Sequence, residues 1–222
     1  MSFHAGQTFT FGEQPSASKW QYIWDNDYAL ADGTGISDNA IITRHVLDAN
    51  ITPAKLSSAA RWWEELGRTT LSGAGDTISV TSLAAKKYLK IIVFTNGTGG
   101  TTDAILRLNN DSSTSYKQTA IYDNAGTLAI DNASSSTSFT LDAFTTSSGN
   151  SIFAELDVLN VSGLAKLMTG QINSYRGTGN DVTFYDTHAR YTGTSVISRV
   201  DVLNNGTGDF AIGSEVIVLG HD

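Results

Sequence analysis

The side chains able to do chemistry are spread thinly along this sequence. Its four histidines, His4, His45, His188 and His221, lie far apart and lack the short spacings by which imidazoles share a metal. No Gly-x-Ser-x-Gly elbow, no phosphate-binding loop ending in Gly-Lys-Ser or Gly-Lys-Thr, and no His-Glu-x-x-His pair occurs. Glu64-Glu65 and Glu155 with Asp157 are the remaining acid–base candidates. A glycosidase needs two carboxyls across a cleft, so these pairs read as solvated charges on a helix end and a strand face. Asp25, Asn26, Asp27 and Asp32-Gly33 fail as a calcium loop because the fifth position falls on Ala29, and Asn109-Asn110-Asp111-Ser112 reads as a turn. The chain is therefore expected not to be an enzyme and to use no cofactor and no metal.

The elements that carry these residues differ between two parts of the chain. All four Trp (Trp20, Trp24, Trp62, Trp63) and both Pro (Pro15, Pro53) fall early, and the remainder is rich in Ser, Thr, Gly, Asn and β-branched residues. Trp20, Ile23, Trp24 and Tyr28 have helical spacing behind Ser18 as an N-cap, which predicts a short amphipathic helix over Ser18 to Leu30. Trp62, Trp63 and Leu66 share a side of a second predicted helix, Ser58 to Leu66, stopped by Gly67. Between them Ile42-Thr43-Arg44-His45-Val46-Leu47 and Ile51-Thr52-Pro53-Ala54-Lys55-Leu56 repeat an Ile-Thr-x-x-x-Leu frame. So small a unit makes sense when it packs on another chain.

From about Leu71 the pattern is that of an all-β sandwich, with short alternating or apolar runs between Gly- and Asn-rich turns. Predicted strands are Thr77–Ser82, Tyr88–Thr95, Asp103–Asn109, Tyr116–Tyr122, Thr127–Ile130, Thr137–Leu141, Ser151–Leu159, Ala165–Ser174, Val182–Tyr191, Ser195–Leu203 and Phe210–Leu219. So many short strands in one domain point to a jelly roll. In Ser151–Leu159 the residues Ile152, Ala154, Leu156 and Val158 face one way and Phe153, Glu155 and Asp157 the other. Leu89 to Phe94 and Val216 to Leu219 alternate little and are expected to be buried on both faces, one against a neighbouring chain of a homotrimer. The expected fold is mostly β: a helical or extended attachment segment over 1–60, a short helix and linker over 61–72, and a jelly-roll sandwich over 73–222.

Charge and length narrow the partners. The chain has 222 residues with 22 acidic against 14 basic side chains, a net charge of −8, and cations scattered singly apart from Lys86-Lys87, which argues against nucleic acid. No run of about 18 apolar residues predicts membrane insertion, and the start lacks the basic and apolar stretches of a signal peptide. With no cysteine, nothing demands an oxidising compartment, and synthesis in a bacterial cytoplasm is expected.

Phe9-Thr10-Phe11-Gly12 to Trp20, Asp32-Gly33-Thr34-Gly35-Ile36-Ser37, and Ile41-Ile42-Thr43 to Ile51-Thr52-Pro53-Ala54-Lys55-Leu56 resemble the N-terminal region of small tailed-bacteriophage virion proteins. Ala104-Ile105-Leu106-Arg107-Leu108-Asn109-Asn110-Asp111 to Tyr116, and Val200-Asp201-Val202-Leu203 to Gly208-Asp209-Phe210-Ala211-Ile212-Gly213-Ser214-Glu215-Val216, are similar to the β-sandwich tips of such proteins. The resemblance implies a virion component, a tail-fibre-like or minor structural protein, commonly trimeric, that attaches by its N-terminus and displays a jelly roll. A capsid decoration or head-fibre protein on the major capsid lattice is the alternative. Attachment to other virion proteins is assigned to Phe9, Phe11, Trp20, Ile23, Trp24, Tyr28, Ile42, Ile51 and Leu56. Contact with a host-surface glycan or receptor is assigned to loops bearing Asn109, Asn110, Asp111, Tyr116, Tyr175 and Asn180, where amide and carboxyl groups stand beside aromatic rings.

Overall fold

A computed structural model of the chain describes residues 12, 14, 16–18, 20–21, 62–124, 126–141, 151–175 and 182–222. The chain divides into two units, Met1–Ala60 and Arg61–Asp222. In the first, Ala17, Ser18, Trp20 and Gln21 are helical, and the Trp20 N–H donates to the Ser16 carbonyl at 3.1 Å. The helix therefore begins before Ser18, which sits inside its first turn rather than at the cap. The remainder of that predicted helix lies outside the described residues. No described helix is long and apolar enough to cross a membrane.

The second unit is a sandwich of two antiparallel sheets. The larger runs β1 (Glu64–Thr70), β13 (Glu215–His221), β3 (Tyr88–Thr98), β8 (Ser151–Leu159), β9 (Lys166–Tyr175), β10 (Val182–Tyr191), β5 (Tyr116–Asn124) and β6 (Thr127–Ser136), with β12 (Asp209–Phe210) also paired to β3. The smaller runs β2 (Thr77–Thr81), β11 (Arg199–Asn204), β4 (Ala104–Leu108) and β7 (Phe139–Thr140). With β5–β6, β9–β10 and β12 set aside, eight strands remain as β1-β13-β3-β8 against β2-β11-β4-β7, the double winding of a jelly roll. The two extra strand pairs lengthen the larger sheet on its β8 side.

Period-two burial explains why these segments are strands. Along β3, Leu89, Ile91 and Val93 enter the core, and β8 contributes Ile152, Ala154, Leu156 and Val158 to the same layer. From the smaller sheet come Ile78 and Val80, Leu106 and Leu108, Phe139, Val200 and Val202. Each of these Val, Leu, Ile and Phe side chains contributes about 1.5–3 kcal/mol on burial. Phe210–Leu219, predicted as one strand, is divided into β12 and β13 by a turn in which Gly213 adopts φ 86°.

The expected helix and linker need correction. Glu64–Thr70 is a strand where a short helix and linker were expected. It pairs with β13 from Glu64↔Gly220 to Thr70↔Glu215, with a bulge between Glu65 and Gly67. Pairing satisfies the backbone along the β13 edge, which one turn of helix would leave open. A Cβ on Gly67 would also stand 2.7 Å from Val80 Cγ1, so the residue read as a helix stop is a site of close approach between sheets. Within the single chain, Leu89–Phe94 and Val216–Leu219 each send one face into the core, while on the other face Ile92, Ile217 and Leu219 are half-buried and Phe94 is exposed.

Candidate functional site

The outer face of the larger sheet gathers side chains that the sequence keeps far apart. Register places Tyr88 beside His221 on one flank and Leu159 on the other, with Leu167 next across β9. One step along the strands, Lys90, Asp157, Thr169 and His188 follow each other across β3, β8, β9 and β10. Trp63, just before β1, completes the rim. Together Trp63, Tyr88, Asp157, Leu167, Thr169 and His188 line an open pocket of about 730 Å³.

The rim is aromatic, and Asp157, Thr169 and His188 set polar groups into a lining that is otherwise largely apolar. Trp62 and Trp63 lie 5.4 and 6.0 Å from the His221 ring, centroid to centroid, and Tyr88 lies 6.5 Å from it. Lys87 Nζ stands 5.0 Å over the Tyr88 ring, and Lys90 Nζ 5.9 Å from that of Trp63. Lys90 bridges Glu155 and Asp157, the latter at 3.0 Å. Burial works against the Lys90 charge, but its hydrogen bonds to both carboxylates prevail and hold its pKa above the ordinary lysine value. Thr169 Oγ1 and His188 Nδ1 are 3.4 Å apart.

The carboxylates that the sequence offers as acid–base pairs are not set across a cleft from each other. Glu155 and Asp157 project from one strand on one face and share one cation, so they do not flank a bond from opposite sides. Glu64 pairs with Lys86 at 3.0 Å and Glu65 with Arg68 at 2.9 Å, the Arg68 hydrogen bond keeping the Glu65 carboxyl below its usual pKa. Among the described residues, no three His, Asp or Glu side chains gather as metal ligands.

The loop expected to meet a receptor is anchored to the sandwich at its base, and Asn110 at its tip is exposed. Asn109 and Asn110 take φ of 54° and 55°, and the Asn109 side chain donates to the Val196 carbonyl and accepts from the Ser198 N–H. Asp111 accepts from the Ser113 N–H and from Tyr191 Oη at 2.9 Å; the Ser113 hydrogen bonds foremost hold its carboxyl below the normal range. Tyr116 is wholly buried, stacked on Tyr191 at 4.9 Å and edge-on to Phe139, and its hydroxyl donates to the Asp111 carbonyl. It is a core residue and presents nothing to a receptor. Tyr175 is exposed at the end of β9, and Asn180 lies outside the described residues. Of the attachment residues only Trp20 is described, and it is exposed; Phe9, Phe11, Ile23, Trp24, Tyr28, Ile42, Ile51 and Leu56 lie outside the described residues.

The tyrosine lock predicts alkaline instability. Burial pushes the Tyr116 phenol up to about 12, and burial with the Asp111 hydrogen bond raises Tyr191 as well. A phenol raised above its unfolded value near 10 contributes stability that is complete below pH 10 and lost as pH climbs toward 12. Urea unfolding of Tyr116→Phe against the parent should show the slope of stability over that window reduced by up to one proton, about 1.4 kcal/mol per pH unit. An unchanged slope would refute it.

Sequence reasoning missed the pocket. Trp63 stood out as an aromatic residue but was assigned to a helix, and Tyr88, Asp157, Thr169 and His188 come together only through strand register. No family model and no curated protein matches the chain. Among solved structures, that of scytalido-glutamic peptidase with a transition-state analogue inhibitor is similar over 66% of this chain and 75% of that one, at 15% identity and a TM-score of 0.27. A likeness that slight carries nothing about activity.

Proposed function

We propose that this chain is a non-catalytic bacteriophage virion structural protein, tail-fibre-like, that attaches through residues 1–60 and displays the jelly roll to the host surface. In this reading the outer-face pocket, rather than the loop at Asn109–Tyr116, takes the host glycan. The observation that carries the reading is the chemistry of that pocket. Trp63 and Tyr88 offer flat apolar faces, and Asp157, Thr169 and His188 offer hydrogen-bonding groups between them. Sugars present an apolar ring face edged by hydroxyls, and such a mixed surface suits them. The jelly roll recurs in capsid and lectin domains, which is an analogy of fold and no more.

Two measurements test it. Proteomic counting of purified particles should find the chain in a few copies, whereas hundreds would assign it to capsid decoration and none would refute a virion role. On an array of bacterial surface polysaccharides the full chain should bind, and Trp63→Ala should weaken binding at least tenfold, with Ile212→Ala as an unaffected control. Binding indifferent to Trp63 would remove the pocket from the proposal.

A further inference from the structure

The two ends of the larger sheet are protected very differently. β1 carries Glu64, Glu65 and Arg68, and a bulge interrupts its pairing. These are the usual devices that stop an edge from recruiting another strand. At the other end, no described strand pairs with the outer edge of β6, which is ten residues long and holds no Pro, no Lys or Arg and one acid, Asp131. Its pairing with β5 is regular from Thr127 to Ala133 and shifts only beyond, toward Ser136. Leu128 and Ile130 are 68% and 71% exposed, and Ile121, opposite Ile130 on β5, is 48% exposed. In the smaller sheet the edge strands are short, β7 having two residues and β2 five.

We infer that β6 is a homotypic interface: it pairs antiparallel with β6 of a second copy of this chain about a two-fold axis through Ile130. In an antiparallel ladder every second residue turns both backbone groups away from its partner. Counted from the Asn124↔Thr127 pair that closes the turn, these residues are Leu128, Ile130 and Asn132. An axis on Ile130 superposes the regular stretch 127–133 on itself. Ile130 then meets its own copy, Leu128 meets Asn132, and Asp131 falls opposite Ala129, so no like charges oppose each other. That self-complementarity singles out a second copy as the occupant, as an isologous contact requires. It is a two-fold contact, in place of the three-fold ring expected from the apolar runs.

The geometry has a consequence for binding. A two-fold axis perpendicular to the sheet keeps both outer faces on one side, so the two pockets open in the same direction, roughly 40 Å apart at the usual strand spacing. A surface with repeating ligands would then be held at two points. The pairing itself rests on the edge alone and stands whether or not the pocket binds a glycan.

The chain has no cysteine, so one introduced thiol reports proximity cleanly. Opposed Cα atoms in such a pair lie about 5.5 Å apart, within disulfide reach. Full-length Ile130→Cys should oxidise largely to a covalent dimer, whereas Leu167→Cys, on an exposed site of the same face, should stay mostly without a cross-link. In light scattering the parent should have twice the 23.6 kDa chain mass, and Ile130→Asp should halve it with the melting temperature of the β unit retained. A parent of one or three chain masses, an aspartate variant of undiminished mass, or equal cross-linking at both thiols overturns the proposal.

Discussion

Replacing Lys166 by Met will cost the sandwich about 2–4 kcal/mol at neutral pH, although the substitution keeps the volume and removes a charge. Lys166 is wholly buried at the start of β9, and its ammonium donates to the carbonyls of Val161, Leu164 and Thr194 at 2.6, 2.7 and 3.1 Å. It staples the β8–β9 connection to the chain that leads into β11. Burial lowers its pKa, the sign of a cation held against a desolvation cost. Removing that cost returns part of the loss. The Val161 and Thr194 carbonyls also keep the backbone donors Leu164 and Gly163, which is why the expected figure is not larger. Because the folded pKa is depressed, the lysine's own contribution grows as pH rises toward its unfolded value and then levels off. Urea denaturation checks this, and a loss below about 1 kcal/mol would mean that the three carbonyls gain little from the ammonium.

Gly170→Ala should destabilise the unit by about 2–3 kcal/mol, against the modest gain usual when glycine is replaced at a compatible site. Gly170 lies on β9 opposite Leu156 of β8. A Cβ there would meet the Glu155 carbonyl and stand 2.6 Å from Leu156 Cδ2 and 2.9 Å from Leu156 Cα. Two of these three atoms are backbone, so the strands themselves must part. Gly73 is the control: nothing lies within 4 Å of its added Cβ, and Gly73→Ala should be neutral or slightly stabilising. Thermal unfolding of the pair decides, and equal melting temperatures would show that β8 and β9 separate at little cost.

What could be read from the sequence follows the physics of alternation. Ser151–Leu159 and Val182–Tyr191 show clean period-two burial in the structure, and both were found to the residue. β1 escaped because its bulge breaks that period, leaving burial that alternates on neither side of Leu66 in step. The spacing of Trp62, Trp63 and Leu66 then imitates a helix face. The turn at Asn109 and Asn110 was legible from residue type, since both tolerate positive φ. Its purpose was not. Tyr191 lies 80 positions from Asp111, and only the register of β10 on β5, which sets Tyr191 opposite Tyr116, brings the two rings together. The pocket was hidden for the same reason: its lining comes from alternate positions of four strands whose order in space is not their order in the chain.

The winding that sets β1 beside β13 also dictates when each strand can find its partner. Arg68 bonds Glu215 across 147 positions, and Ser79 of β2 bonds Asp201 of β11 across 122. A ribosome adding about 5–20 residues per second leaves β1 without its neighbour for roughly 7–30 s. Among the described strands, only β5–β6, β8–β9 and β9–β10 join consecutive strands of one sheet, so these pairs can form soonest as the chain emerges. Closing the two sheets on each other waits for the C-terminal strand, and such distant pairing belongs to the slow, millisecond-to-second class of folding. The charges on β1 thus serve twice, guarding a finished edge and keeping a nascent strand in solution until its partner has been made.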